Sequence, residues 1–249
     1  MKLKTLAAAA LALAASQAFA DIQVTTNGNS ELFFVLGNDK GSFVLDTGIT
    51  VNALKSASFS GYLQNITNLT GFSSFTAAGG NAPQWALAVY DGTGTAGFGS
   101  IEMISTFNTA LPSIATTINN NSFKTGATVQ VGQTASKTVA TGNHSQVANG
   151  SSYNPVSTDG YFGPLFFSVA QSTGDYLGNA VGVTSQLVDW KGNGTSALAK
   201  VSTSYLPGYS ASFDGATVTI TSAVPEPSSY ALLIAGLSAV GFMVRRRAR

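Results

Sequence analysis

Gly92-Thr-Gly-Thr-Ala-Gly97 follows the apolar run Trp85–Tyr90 and matches G-x-G-x-x-G, the pattern that cradles a dinucleotide pyrophosphate. That chemistry also needs a helix directly after the glycines and an acid about twenty residues on for the ribose. Glu102 comes too soon and the next acid is Asp159, while Asp91 would set a carboxylate against the pyrophosphate. A glycine-rich hairpin or loop is the expectation, with no cofactor.

His144 is the only histidine. A Ser-His-Asp triad needs just one, yet there is no G-x-S-x-G elbow, and Thr-Gly-Asn-His-Ser-Gln reads as an exposed loop. One histidine and no cysteine cannot build a usual zinc site. Scattered Asp and Asn leave calcium open, although no D-x-[DN]-x-[DN]-G loop occurs. Asp46, Asp91, Glu102, Asp159, Asp175, Asp189 and Asp214 are dispersed singly, most of them beside Gly or Thr. A glycosidase needs two carboxylates facing one bond; turn positions are the expected fate of these acids. No catalytic, cofactor-binding or metal-binding residue is assigned in the body.

The aromatics Trp85, Trp190, Tyr153, Tyr161, Phe162, Tyr205 and Tyr209 could stack on sugar rings if several shared an exposed face. Packing in the core is the usual alternative and the one expected. Tyr153–Pro164 has the composition of an exposed loop. Sequons at Asn65, Asn68, Asn120, Asn143, Asn149 and Asn193 reflect loops rich in Asn, Ser and Thr.

The elements that must position these residues read as all-β. Short apolar or alternating runs recur between Gly, Asn, Ser and Asp clusters: Glu31–Leu36, Ser42–Leu45, Ser58–Leu63, Trp85–Tyr90, Ala127–Val131, Leu165–Val169, Ala180–Val188, Ala199–Ser204 and Ala216–Thr221. Asn27-Gly28, Asp91-Gly92 and Asp214-Gly215 supply turn chemistry. Gly99–Ile118 is open between a short helix and a strand with a loop. The expected architecture is a β-sandwich, jelly-roll-like, forming one domain over residues 21–223.

Both ends differ from this body. Lys2 and Lys4 precede an apolar stretch from Leu6 to Ala15, and Ala18-Phe19-Ala20 has the small-x-small form that signal peptidase cuts. Residues 1–20 are expected to be a signal peptide, leaving a mature chain from about Asp21. At the other end, Val224-Pro-Glu-Pro227 leads into an uncharged run and then Arg245, Arg246, Arg247 and Arg249. As a helix, Ser228–Val244 would span about 25 Å at roughly 1.5 Å per residue, near the lower limit for a bilayer core of about 30 Å. The arginines would stay cytoplasmic and snorkel to the interface. A single transmembrane helix in the inner membrane, N-terminus outside, is the expectation.

All four arginines lie in the tail, so residues 21–224 keep six lysines against ten acids, a net charge of about −4. No basic patch remains for a phosphate backbone, which argues against nucleic acid. Cysteine is absent, so an exported body of about 200 residues must rest on core burial rather than disulfides.

The tail, residues 224–249, resembles the PEP-CTERM sorting signal of Gram-negative bacteria, on Pro225, Glu226, Pro227, the apolar run and the arginines. The resemblance implies that exosortase, a membrane-embedded cysteine protease, cuts near the triplet. It further implies transfer of the cargo from the periplasmic face of the inner membrane to the cell surface or an exopolysaccharide matrix. The two prolines remove backbone donors and hold the peptide extended for such an enzyme. The function expected is a non-catalytic surface or matrix protein associated with exopolysaccharide or biofilm. An exported hydrolase acting on polysaccharide or another matrix substrate is the alternative.

Overall fold

The computed structural model describes residue 22 and residues 27–92, 97–107, 118–127, 150–158, 160–162, 178–222 and 234–238, with the backbone alone at 145–147. Its frame is one antiparallel sheet of eleven strands among the described residues. They are β1 (Glu31–Gly37), β2 (Gly41–Thr50), β3 (Tyr62–Asn65), β4 (Gln84–Asp91), β5 (Glu102–Thr106), β6 (Ser145–Val147), β7 (Ser151–Pro155), β8 (Asn179–Ala180), β9 (Thr184–Lys191), β10 (Ser202–Phe213) and β11 (Thr217–Ser222). The path runs β3-β11-β10-β9-β5-β4-β1-β2-β7-β6, with β8 joined to β4. Three short helices accompany it: α1 (Val51–Leu54), α2 (Thr70–Ala78) and α3 (Asn120–Gly126).

Strand β1 shows why both faces of the sheet are covered. Leu32, Phe34 and Leu36 point one way and Phe33 and Val35 the other, and all five are buried. A strand buried on both faces reads as a continuous apolar run instead of an alternation. One face carries Phe33, Val44, Ala88, Tyr90, Met103 and Trp190 beneath Phe123 of α3 and Phe162. The other carries Phe34, Phe43, Trp85, Leu87, Ile104, Phe213 and Ile220, with Leu54 of α1 and Phe75 of α2.

This second face is concave. Four inter-strand steps separate β1 from β10, about 19 Å in a flat sheet, yet the rings of Phe34 and Phe213 lie 5.1 Å apart. The sheet curls into a half-barrel. Two irregularities add twist. The β1–β2 register shifts between Leu32 and Phe33, where Gly48 takes φ +65° and Thr47 Oγ1 donates to Leu32 O at 2.5 Å. The β10–β9 register shifts between Tyr205 and Ser210, spanning Pro207 and Gly208.

The all-β expectation holds, and the two-sheet sandwich is corrected. A single hydrogen-bonded path joins the strands, and curling lets its concave face meet itself where a sandwich would need a second sheet. Within Gly99–Ile118, Glu102–Thr106 is a strand. The strand expected over Ser58–Leu63 sits at Tyr62–Asn65, and the one expected from Ala199 begins at Ser202 and runs on to Phe213. Ala127 caps α3, while 128–131 and 165–169 lie outside the described residues. Residues 1–20 do as well. Among the described residues no helix is long and apolar enough to cross a membrane. Of the tail only 234–238 is described, as an exposed helical turn, so the rest of the expected span falls outside.

Candidate functional site: a four-charge cluster and the sorting tail

Helix α1 is a single turn that aims one lysine. Thr50 Oγ1 accepts from Ala53 N at 3.1 Å, capping the turn, and Val51 and Leu54 are buried. Lys55 follows as the C-cap and reaches over β5 and β9. There the register sets Glu102 opposite Lys191 and Ile104 opposite Asp189. Alternation then places Glu102, Asp189 and Lys191 on the face of Ile104 and Leu187, which is the concave one.

The four groups meet. Lys55 Nζ bonds Glu102 Oε1, and lies 3.1 Å from Asp189 Oδ2. Lys191 Nζ lies 3.1 Å from Asp189 Oδ2 and 3.3 Å from Glu102 Oε1. The side chains of Asp189, Glu102 and Lys55 are 10%, 16% and 27% exposed, that of Lys191 52%. Asp189 Oδ1 is buried and accepts no hydrogen bond.

Burial raises the Glu102 carboxyl, and its contact with Asp189 raises it further, against the lowering effect of Lys55. Asp189 goes the other way: burial raises it, but the hydrogen bond with Glu102 and the two lysines outweigh this, and it ends below the ordinary carboxylate value. Two carboxyls that face the same pair of ammonium groups are pushed apart in this way, because each ionises less readily beside the other. Lys191 is lowered by burial but raised more by Asp189 and Glu102, so its ammonium is held on. The arrangement sets two carboxyls and two ammonium groups within reach of one another, so a proton can pass between amine and acid.

Glu102 and Asp189 were expected singly in turns, and the fold brings them together. They lie 87 positions apart in sequence, with Lys55 a further 47 before Glu102. Asp189-Trp-Lys191 alternation in a strand was the one legible hint. The turn expectation fits other acids. Asp46 Oδ1 accepts from Gly48 N at 2.8 Å in the β2 irregularity, and Asp214 Oδ1 accepts from Ala216 N and Thr217 N at 2.8 and 2.7 Å in the β10–β11 hairpin. Asp91 instead closes β4, and its Oδ2 accepts from Gly28 N at 2.7 Å, fixing the Asn27-Gly28 turn, where Asn27 has φ +62°. Asp159 and Asp175 lie outside the described residues.

The glycine-rich stretch lies in the β4–β5 connection, since Asp91 pairs with Glu102 antiparallel. After Gly97 comes a single 3-10 turn, Phe98–Ser100, and then β5, so the helix a pyrophosphate would need is not there. His144 falls outside the described residues. Among the described residues no group of three or more His, Cys, Asp or Glu is gathered to hold a metal ion.

Core packing takes most of the aromatics. Trp85 and Trp190 are fully buried, their indole N–H groups donating to Ala180 O at 2.9 Å and to Ser105 Oγ at 3.0 Å. Phe162 packs on Phe33 and Tyr209 on Phe59. The expected loop Tyr153–Pro164 is corrected at its start. Tyr153–Pro155 completes β7, paired to β2, because Phe75 of α2 covers the Tyr153 ring. Tyr161 donates to Asn38 O at 2.8 Å. Tyr205 alone of the seven is exposed.

The last strand, β11, ends at Ser222, and the tail with its Pro225-Glu226-Pro227 triplet and Arg245, Arg246 and Arg247 continues directly from it. No curated protein and no solved structure matches the chain. Residues 223–247 match the PEP-CTERM protein-sorting motif. The chain thus carries, directly behind its β body, a motif that indicates export, processing by exosortase and sorting to the cell envelope or surface.

Proposed function

We propose that this protein is a non-catalytic component of the cell surface or extracellular matrix, associated with exopolysaccharide or biofilm. The observation that supports this reading most is the sorting motif at 223–247 set immediately behind the last strand. In this reading signal peptidase removes residues 1–20 and the apolar tail holds the chain in the inner membrane, body in the periplasm. Exosortase then cuts near Pro225-Glu226-Pro227 and frees the half-barrel. Mass spectrometry of the mature protein from an exosortase-competent host tests the route. The expected product begins near Asp21 and ends near the triplet, and persistence of the C-terminus through Arg249 would overturn processing. Co-fractionation with purified exopolysaccharide tests the destination.

An exported polysaccharide hydrolase is the second reading, favoured by the meeting of Glu102 with Asp189. Each of those carboxyls is already spanned by Lys55 and Lys191, whereas glycoside cleavage needs both to face the substrate. The non-catalytic reading is therefore preferred. Turnover of any member of a polysaccharide panel, lost in Glu102→Gln, would reverse the preference.

A further inference from the structure

We propose that Lys55 and Asp189 form an intramolecular amide bond, made by the protein on itself with Glu102 as the proton-transfer group. Three observations motivate this. Lys55 Nζ touches both Glu102 Oε1 and Asp189 Oδ2, so nucleophile, carbonyl carbon and acid–base group already stand together. Such positioning replaces a bimolecular encounter with a unimolecular step. Asp189 is the most buried of the four groups, and its Oδ1 has no donor. A buried ion pair carries the desolvation cost of both its charges, and a neutral amide between Lys55 and Asp189 removes the two together. The chain has no cysteine, so a disulfide cannot staple this exported body, whereas the Lys55–Asp189 link would close a 134-residue span.

The step is a condensation and balances without a co-reactant. The Lys55 ammonium passes a proton to the Asp189 carboxylate, giving a free amine and a neutral acid. The amine lone pair attacks Asp189 Cγ, forming the C–N bond. Glu102 takes a second proton from that nitrogen and returns one to the departing hydroxyl, the C–O bond breaks and water leaves. One ammonium and one carboxylate become an amide and water, with no change of oxidation state. Glu102 ends as it began, next to Lys191 at 3.3 Å. Lys191 reaches the same Asp189 oxygen, but it is two residues away on the same strand and half in solvent, so its bond would tie nothing together.

The test is peptide mapping of the denatured full chain. The expected result is a branched tryptic species joining the Lys55 and Asp189 segments, lighter than the sum of its parts by one water, with no cleavage after Lys55. Lys55→Arg, Asp189→Ala and Glu102→Ala abolish it, and Lys191→Met leaves it intact. Separate, unmodified Lys55 and Asp189 peptides from the folded wild-type chain overturn the proposal, whatever the variants do. A branch that carries Lys191 in place of Lys55 overturns it equally.

Discussion

The rings of Phe34 and Phe213 meet at 5.1 Å across the hollow of the sheet, although β4, β5 and β9 stand between their strands. Phe34 also stacks on Trp85 at 6.2 Å, so one ring ties the wall of the curl to its far lip. Truncating Phe213 to Ala removes the contact and leaves a cavity that β10 cannot collapse into without breaking pairs to β9 and β11. The expected loss is about 3–5 kcal/mol, read as a lower urea midpoint. A loss below about 1 kcal/mol, the range of a volume-conserving swap, would mean the curl is held elsewhere.

Ser105 offers a more local test. Its Oγ is the acceptor for the buried Trp190 indole N–H at 3.0 Å. Ser105→Ala leaves that donor unpaired at nearly constant volume, which costs about 1–3 kcal/mol. Chemical denaturation of Ser105→Ala beside Ser105→Thr separates the hydrogen bond from packing, because Thr keeps a hydroxyl.

Acid should weaken the β10–β11 hairpin through Asp214. The N–H groups of Ala216 and then Thr217 hold its carboxyl below the ordinary value. A depressed carboxyl contributes stability that is present above its unfolded value and lost as pH falls through the folded one. In Asp214→Asn the melting temperature should fall less steeply over that acidic interval than in the wild type. Identical slopes would refute the assignment.

Alkali should act through Tyr62, whose phenol burial, helped by the charge of Asp46, pushes up to about 12. The sign is opposite. Stability from this raised group is complete below the ordinary tyrosine value of about 10 and drains away as pH climbs through about 12. Tyr153 and Tyr161 are raised as well, so ultraviolet titration of tyrosinate should show the late-ionising phase of the wild type reduced by one tyrosine in Tyr62→Phe.

The tail carries its own prediction. Replacing Pro225 and Pro227 with Ala restores two backbone donors and lets the segment leave the extended form. Mass spectrometry from an exosortase-competent host should then find the C-terminus through Arg249 retained. Normal trimming of that variant would show that the prolines are dispensable.

Strands β1, β4 and β11 were legible because their apolar runs or alternations are local, and the hairpin after Asp91 because its glycines are. The single curled sheet was not, since the pairing of β9 with β5 and of β4 with β1 leaves no mark on either strand alone. Helix α2 was hidden too. Thr70-Gly-Phe-Ser-Ser-Phe-Thr-Ala-Ala78 is poor in helix formers, and packing decides its shape, with Phe72 against Phe43 and Phe75 against Tyr153. The sorting motif was readable because it is a linear signal, written in consecutive residues. The charge cluster depends on three distant segments, and only the fold assembles it.

Strand β11 lies between β10 and β3, paired to both, and the tail leaves from its end. A strand at the sheet margin would have one ladder there, and β11 has two. The sorting motif thus follows a strand held within the sheet's own weave, so fraying of the body from that end must open two ladders at once.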